Sequence, residues 1–135
     1  MLSTRLRQLF DRLLEDELAA LPPQYLELMD EIPLIVEDEP SGLLLDEMGM
    51  GPDDDLAGLH WGTPLTERSV EAAPDAPDRM MLFRGPIVRM AGFSLRDRGP
   101  EALEELRRQV HITLLHELGH HVGLDEDDLD ALGYG

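Results

Sequence analysis

The stretch His116-Glu117-Leu118-Gly119-His120-His121-Val122-Gly123-Leu124-Asp125-Glu126 decides how this chain is read. It ends a segment, residues 100–121, in which Leu103, Leu106, Val110 and Leu114 fall within ~80° of one another on a helical wheel, the stripe of an amphipathic helix. Gly99-Pro100-Glu101 opens that helix: proline suits its first turn, and Glu101, Glu104 and Glu105 lie at the positive end of its dipole. Glu104 and Arg108 are spaced to pair at i,i+4. Ile112, Leu115 and Leu118 add apolar surface on other sides, so the second half of the helix is expected to be buried nearly all round. Gly123 stands where a left-handed residue would end it.

With 5 His and 14 Glu in 135 residues, random order would give about 0.02 matches to His-Glu-x-x-His, so chance is a weak explanation. Residues four apart lie ~40° apart on a helix, so the imidazoles of His116 and His120 point to one side and can share an ion at ~2.0–2.1 Å. Glu117 lies ~100° around from His116, off the ligand line but within reach of a water held by the metal. Two imidazoles and a carboxylate make the three-ligand site of catalytic zinc, with a fourth position open to water. Bound zinc brings the pKa of that water toward ~7, and Glu117 as general base takes its proton for attack on an amide carbonyl. The third ligand must come from the acidic run after Gly123, and carboxylate reach alone does not choose among Asp125, Glu126 and Asp127.

Working outward, Leu6, Leu9, Phe10, Leu13, Leu14 and Leu18 recur three or four apart over residues 3–20, an amphipathic helix stopped by Pro22-Pro23. A short helical turn is expected over 24–30, a short strand over 32–36, open loop over 46–55 and a strand over 56–61. The Pro-rich stretch 71–78 reads as a surface loop. Residues 80–83 and 87–91 look extended with Gly85-Pro86 between them, which predicts an edge strand with a bulge, because proline cannot donate to a ladder. A short last helix is expected over 125–132. Together these give an α+β fold, with a mixed sheet of about three strands packed on the motif helix, in one domain covering residues 1–135.

The chain carries 11 Lys+Arg against 29 Asp+Glu, a formal charge of −18, which would repel a phosphate backbone and makes nucleic acid a poor partner. Without cysteine there is no disulfide framework and no thiolate ligand. A reducing compartment, the cytoplasm, is the natural location. The acidic residues at 11 and 15–17 leave no apolar signal region, and no apolar run approaches the ~20 residues of a membrane span. Cationic substrates or partners fit the acidic surface.

The sequence resembles the small bacterial zincin-like metallopeptidases once grouped as a domain of unknown function. The resemblance is carried by HELGHHVGLDEDDLDALGY at 116–134, GTPLTERS at 62–69 and LFRGPIVR at 82–89. It implies a minimal zincin fold, a zinc ion, a peptide or protein substrate, and a site of His116, Glu117, His120 and an acidic residue three beyond Gly123. That residue is Glu126, where the family usually has aspartate. The segment around residues 82–90 is expected to border the cleft as an edge strand to which an extended substrate adds.

The other marked residues have plainer readings. His121 points toward the apolar stripe and is expected to be packed, His111 to be ordinary, and His60, beside Trp61, to face either the site or solvent. Tyr134 is an oxyanion donor or a C-terminal anchor. The acidic runs at 53–55 and 125–130 lack the spacing of a calcium loop. The rival function is a non-catalytic zinc-binding interaction module; a third is hydrolysis of a non-peptide substrate, against which the scarcity of basic residues near the motif speaks.

Overall fold

In a computed structural model, residues 2–61, 79–97 and 99–132 are described. The order of elements is α1 (Thr4–Ala19), α2 (Pro23–Glu31), β1 (Leu34–Glu37), α3 (Gly42–Glu47), β2 (Gly58–Trp61), β3 (Arg79–Phe83), α4 (Arg84–Ala91), α5 (Pro100–His121) and α6 (Glu126–Leu132). The three strands form a mixed sheet with β3 in the middle, parallel to β1 and antiparallel to β2. This is the α+β architecture expected. The loop expected at 71–78, the segment 62–69 and Tyr134 lie outside the described residues.

Side-chain alternation gives the sheet two different faces. Leu34 and Val36 of β1 sit opposite Met80 and Leu82 of β3, and Gly58 and His60 of β2 sit opposite the same two residues. This face meets the main core, where Met80 and Leu82 pack with Leu6, Phe10, Leu13 and Leu14 of α1 and with Leu106, Val110, Leu114 and Leu118 of α5. The other face carries a smaller cluster in which Leu44 of α3 covers Leu59 and Phe83. Ser41 starts α3 by accepting the Leu44 N–H at 3.1 Å. The open loop expected over 46–55 therefore begins only after Glu47, and the local signal for this helix is Ser41 ahead of Leu43, Leu44 and Leu45.

The largest correction concerns residues 84–91, which form α4 and not an edge strand with a bulge. Pro86 falls in the first turn, where no intrahelical partner is required of its missing N–H. Gly85 lets the chain close on the turn after β1: its N–H donates to Asp38 O at 2.8 Å, and a Cβ there would stand only 2.9 Å from that oxygen. Pro86, Ile87 and Val88 are buried, so branched residues that resemble a strand in sequence serve a helix packed into the core. Residues 82–83 belong to the central strand, which leaves β2 as the strand beside the motif helix. A smaller correction is that Arg108 pairs with Glu105, at 3.4 Å, and not with Glu104.

Arg84 anchors the start of α4. It grips Asp11 of α1 with Nε and Nη2 at 2.8 and 3.0 Å and donates from Nη1 to Asp38 at 3.1 Å, while Arg7 reaches the same Asp38 at 2.8 Å. The Arg7 hydrogen bond, and after it the Arg84 bond, hold the Asp38 carboxyl below its usual range against the opposing pull of burial. A carboxyl with a lowered pKa contributes stability above its unfolded value and loses it as the pH falls through the folded one. Arg84→Met is expected to cost about 1–2 kcal/mol at pH 7, the pairs being partly exposed, and the penalty to shrink by pH 3. Urea unfolding of both proteins at the two pH values checks this.

Candidate metal centre

The buried half of α5 sets the site. Leu106, Val110, Leu114 and Leu118 are fully buried, and Thr113, Leu115, Glu117, Gly119 and His121 are buried beside them, as the apolar surface on several sides required. The helix then stops in a Schellman turn. Gly123 has φ +91°, its N–H bonds to His120 O at 3.1 Å, and the Leu124 N–H bonds to Gly119 O at 2.9 Å. The chain thereby reverses and brings α6 back toward the side chains it has just passed.

Asp125 and Asp128 fix the start of α6 by a reciprocal exchange: Asp125 Oδ1 accepts the Asp128 N–H at 2.8 Å, and Asp128 Oδ2 accepts the Asp125 N–H at 3.1 Å. Capping occupies the Asp125 carboxylate, and Glu126 is the acidic residue that turns to the histidines. Its Oε1 lies 2.9 Å from His120 Nε2 and 3.4 Å from His116 Nε2, and the two Nε2 atoms are 3.1 Å apart. Among the described residues, His116, His120 and Glu126 are the one set of His, Asp or Glu side chains whose donor atoms converge in this way. Asp125 and Asp127 are outside it.

These separations fit a small divalent ion. Tetrahedral ligands held at ~2.0–2.1 Å stand about 3.3 Å apart, and the three observed distances bracket that edge. The donor set of two imidazole nitrogens and one carboxylate oxygen is one that zinc takes while keeping a position open. The imidazole planes cross at 76°, so the two lone pairs meet without the rings stacking.

Glu117 is not part of this set, yet it lines the same cleft of about 500 Å³ with His116, His120 and Glu126. It is only 5% exposed. Burial, with the Glu126 charge adding to it, pushes its carboxyl from 4.5 up to about 7, while neighbouring His116 pulls the other way. Met48, Leu56, Leu59 and Leu124 give the cleft an apolar wall. A larger groove of about 730 Å³, between α1, α2 and β1, shares no residue with this cleft and contains no histidine.

Three histidines lie outside the ligand set. His121 is 2% exposed, and its Nδ1 is 3.3 Å from His60 Nε2. It is therefore packed, as expected, while His60 faces α5 from β2 and joins the wall of the cleft. His111 bonds Glu17 of α1 at 2.8 Å and ties the first helix to the fifth. The close fit of Gly58 against Glu117 was missed in the sequence, and no local signal marks it.

The profile of the zincin-like metallopeptidases matches residues 29–135, well over half of the chain, and the protein belongs to that family. No curated protein matches it.

The raised Glu117 pKa has a measurable consequence in metal-free protein, prepared with a chelator present. The fold favours the neutral carboxyl, so its contribution is fully present below about pH 4.5 and is lost as the pH rises through about 7. Glu117→Gln keeps a neutral group of the same shape at every pH. Its thermal midpoint is expected to equal that of the parent at pH 4 and to exceed it at pH 8, by at most about 3 kcal/mol of stability. Thermal unfolding of the two metal-free proteins across this range is the check.

Proposed function

We propose that this protein is a zinc-dependent metallopeptidase in which His116, His120 and Glu126 hold the metal and Glu117 is the general base. The observation that carries this is the convergence of the three donor atoms at the end of α5, with a buried carboxyl one residue along opening into the same cleft. Zinc bound by these side chains polarises a substrate carbonyl and makes water acidic enough to be deprotonated near neutral pH.

The rest falls to the chain itself. Glu117 takes the proton of the attacking water and delivers it to the departing amine, the work of a positioned acid–base group. Glu126 neutralises part of the ion's charge, and Asp125 and Asp128 keep it in place from behind. The apolar wall of Met48, Leu56, Leu59 and Leu124 suits an apolar side chain next to the scissile bond, while the net charge of −18 draws cationic peptides toward the cleft. Among the described residues, no helix is long and apolar enough to cross a membrane. With no cysteine in the sequence, we take the cytoplasm as the working compartment.

Protein purified without added metal is expected to contain about one zinc per chain by plasma mass spectrometry, and His116→Ala to lose it. A peptide library is expected to be cleaved by the parent, and Glu117→Gln to keep its zinc while cleaving at least ~10²-fold more slowly. Equal cleavage by that variant overturns the mechanism. Zinc binding with no cleavage of any peptide favours the interaction module instead.

A further inference from the structure

β2 packs closely on α5 beside the site. A Cβ added to Gly58 would stand 3.0 Å from Glu117 Cγ, 3.0 Å from Thr113 Cγ2 and 3.1 Å from the main-chain oxygen of Met81. Gly58 lies in a regular strand, paired opposite Leu82, so it is the missing side chain that matters there and not the freedom of its backbone. Thr113 is one turn before Glu117 on α5, and its hydroxyl donates to Gln109 O at 2.8 Å. The stem of Glu117 thus runs through a slot with the bare α-carbon of Gly58 and the Thr113 methyl at its sides. At 5% exposure, Glu117 has few other routes from the helix to the cleft.

We infer that Gly58 is a positioning residue: by lacking a side chain it forms the slot that holds the stem of Glu117, and so sets where the Glu117 carboxyl stands beside His116, His120 and Glu126. The inference rests on the reading of Glu117 as the general base. The physical question is which neighbour yields when the slot is filled. The Met81 oxygen belongs to the β2–β3 ladder, and moving it would disturb the sheet. The Thr113 methyl is fixed by a branched side chain whose hydroxyl is already bonded. Glu117 has further rotatable bonds and a cleft to move into, so a methyl at residue 58 displaces Glu117. A general base works over about 2.6–3.2 Å, so the shift of a few tenths of an ångström that a Cβ at residue 58 requires lengthens its hydrogen bond measurably, short of the roughly 10²-fold cost of a full 1 Å misplacement.

The test combines a stability cycle, which needs no activity, with kinetics. Urea midpoints are measured for the parent, Gly58→Ala, Glu117→Ala and the double variant. If the slot is filled by the Glu117 stem, Gly58→Ala lowers the midpoint of the parent, and the shift is at least halved once Glu117 is alanine; additive shifts overturn the inference. On a peptide cleaved by the parent, Gly58→Ala is expected to keep one zinc per chain and a KM within about 2-fold while kcat falls about 3- to 10-fold. Adding Thr113→Ser, which removes only the methyl, is expected to restore most of kcat. An unchanged kcat, or a fall that follows zinc loss, overturns the inference. If Gly58→Ala does not fold, Thr113→Ser alone widens the slot from its other wall; a lower kcat with zinc retained then supports the inference, and an unchanged kcat overturns it. A parent that cleaves no peptide overturns the peptidase reading, and the cycle still decides the slot, coupling supporting it and additivity refuting it.

Discussion

The burial of α5 on several sides is the constraint around which the other elements are arranged. Its second half carries apolar residues on more than one face, and a helix of that kind is stable only when wrapped. The wrapping comes from α1, α4 and the sheet, whose buried residues share one core cluster with Leu106, Val110, Leu114 and Leu118. The candidate site residues His116, Glu117 and His120 occupy the last two turns of the same helix, where it lines the cleft. The rigidity that the core imposes on the helix is therefore passed to His116 and His120 without a dedicated framework.

A cost accompanies this arrangement. Glu117 is held where water is scarce, and the metal-free fold resists its ionisation. Other described residues keep their charges in pairs at the surface: Arg84 with Asp11 and Asp38, Arg89 with Glu39 and Asp55. Among the described residues Glu117 is thus the exception, and it stands beside the group of side chains that could hold a cation.

Much of this could be read from the sequence because periodicity reports burial. The leucines of α1 and α5, the stop at Pro22-Pro23 and the turn at Gly123 are local patterns, and the structure follows them. What escaped was governed by distant partners. Residues 84–91 have the composition of a strand, and they form a helix because Arg84 is anchored to Asp11 and Asp38 and because Gly85 docks on the turn after β1. Nothing within those eight residues reveals either contact. The convergence of Glu126 on the histidines was readable in part: carboxylate reach could not separate it from Asp125 and Asp127, but the spacing of Asp125 and Asp128 is that of a capping pair, which assigns Asp125 to the backbone.

The Schellman turn divides the proposed ligand set into two kinds of group. His116 and His120 are fastened to a helix that cannot move without opening the core, whereas Glu126 is 66% exposed on a seven-residue helix beyond a glycine. Were these three to hold an ion as proposed, the two imidazoles would form a chelate fixed beforehand by the core, and Glu126 would close the set from a short helix at high effective concentration. The two halves of such a set would then differ in stability, the imidazoles sharing that of the core and Glu126 only that of the last helix.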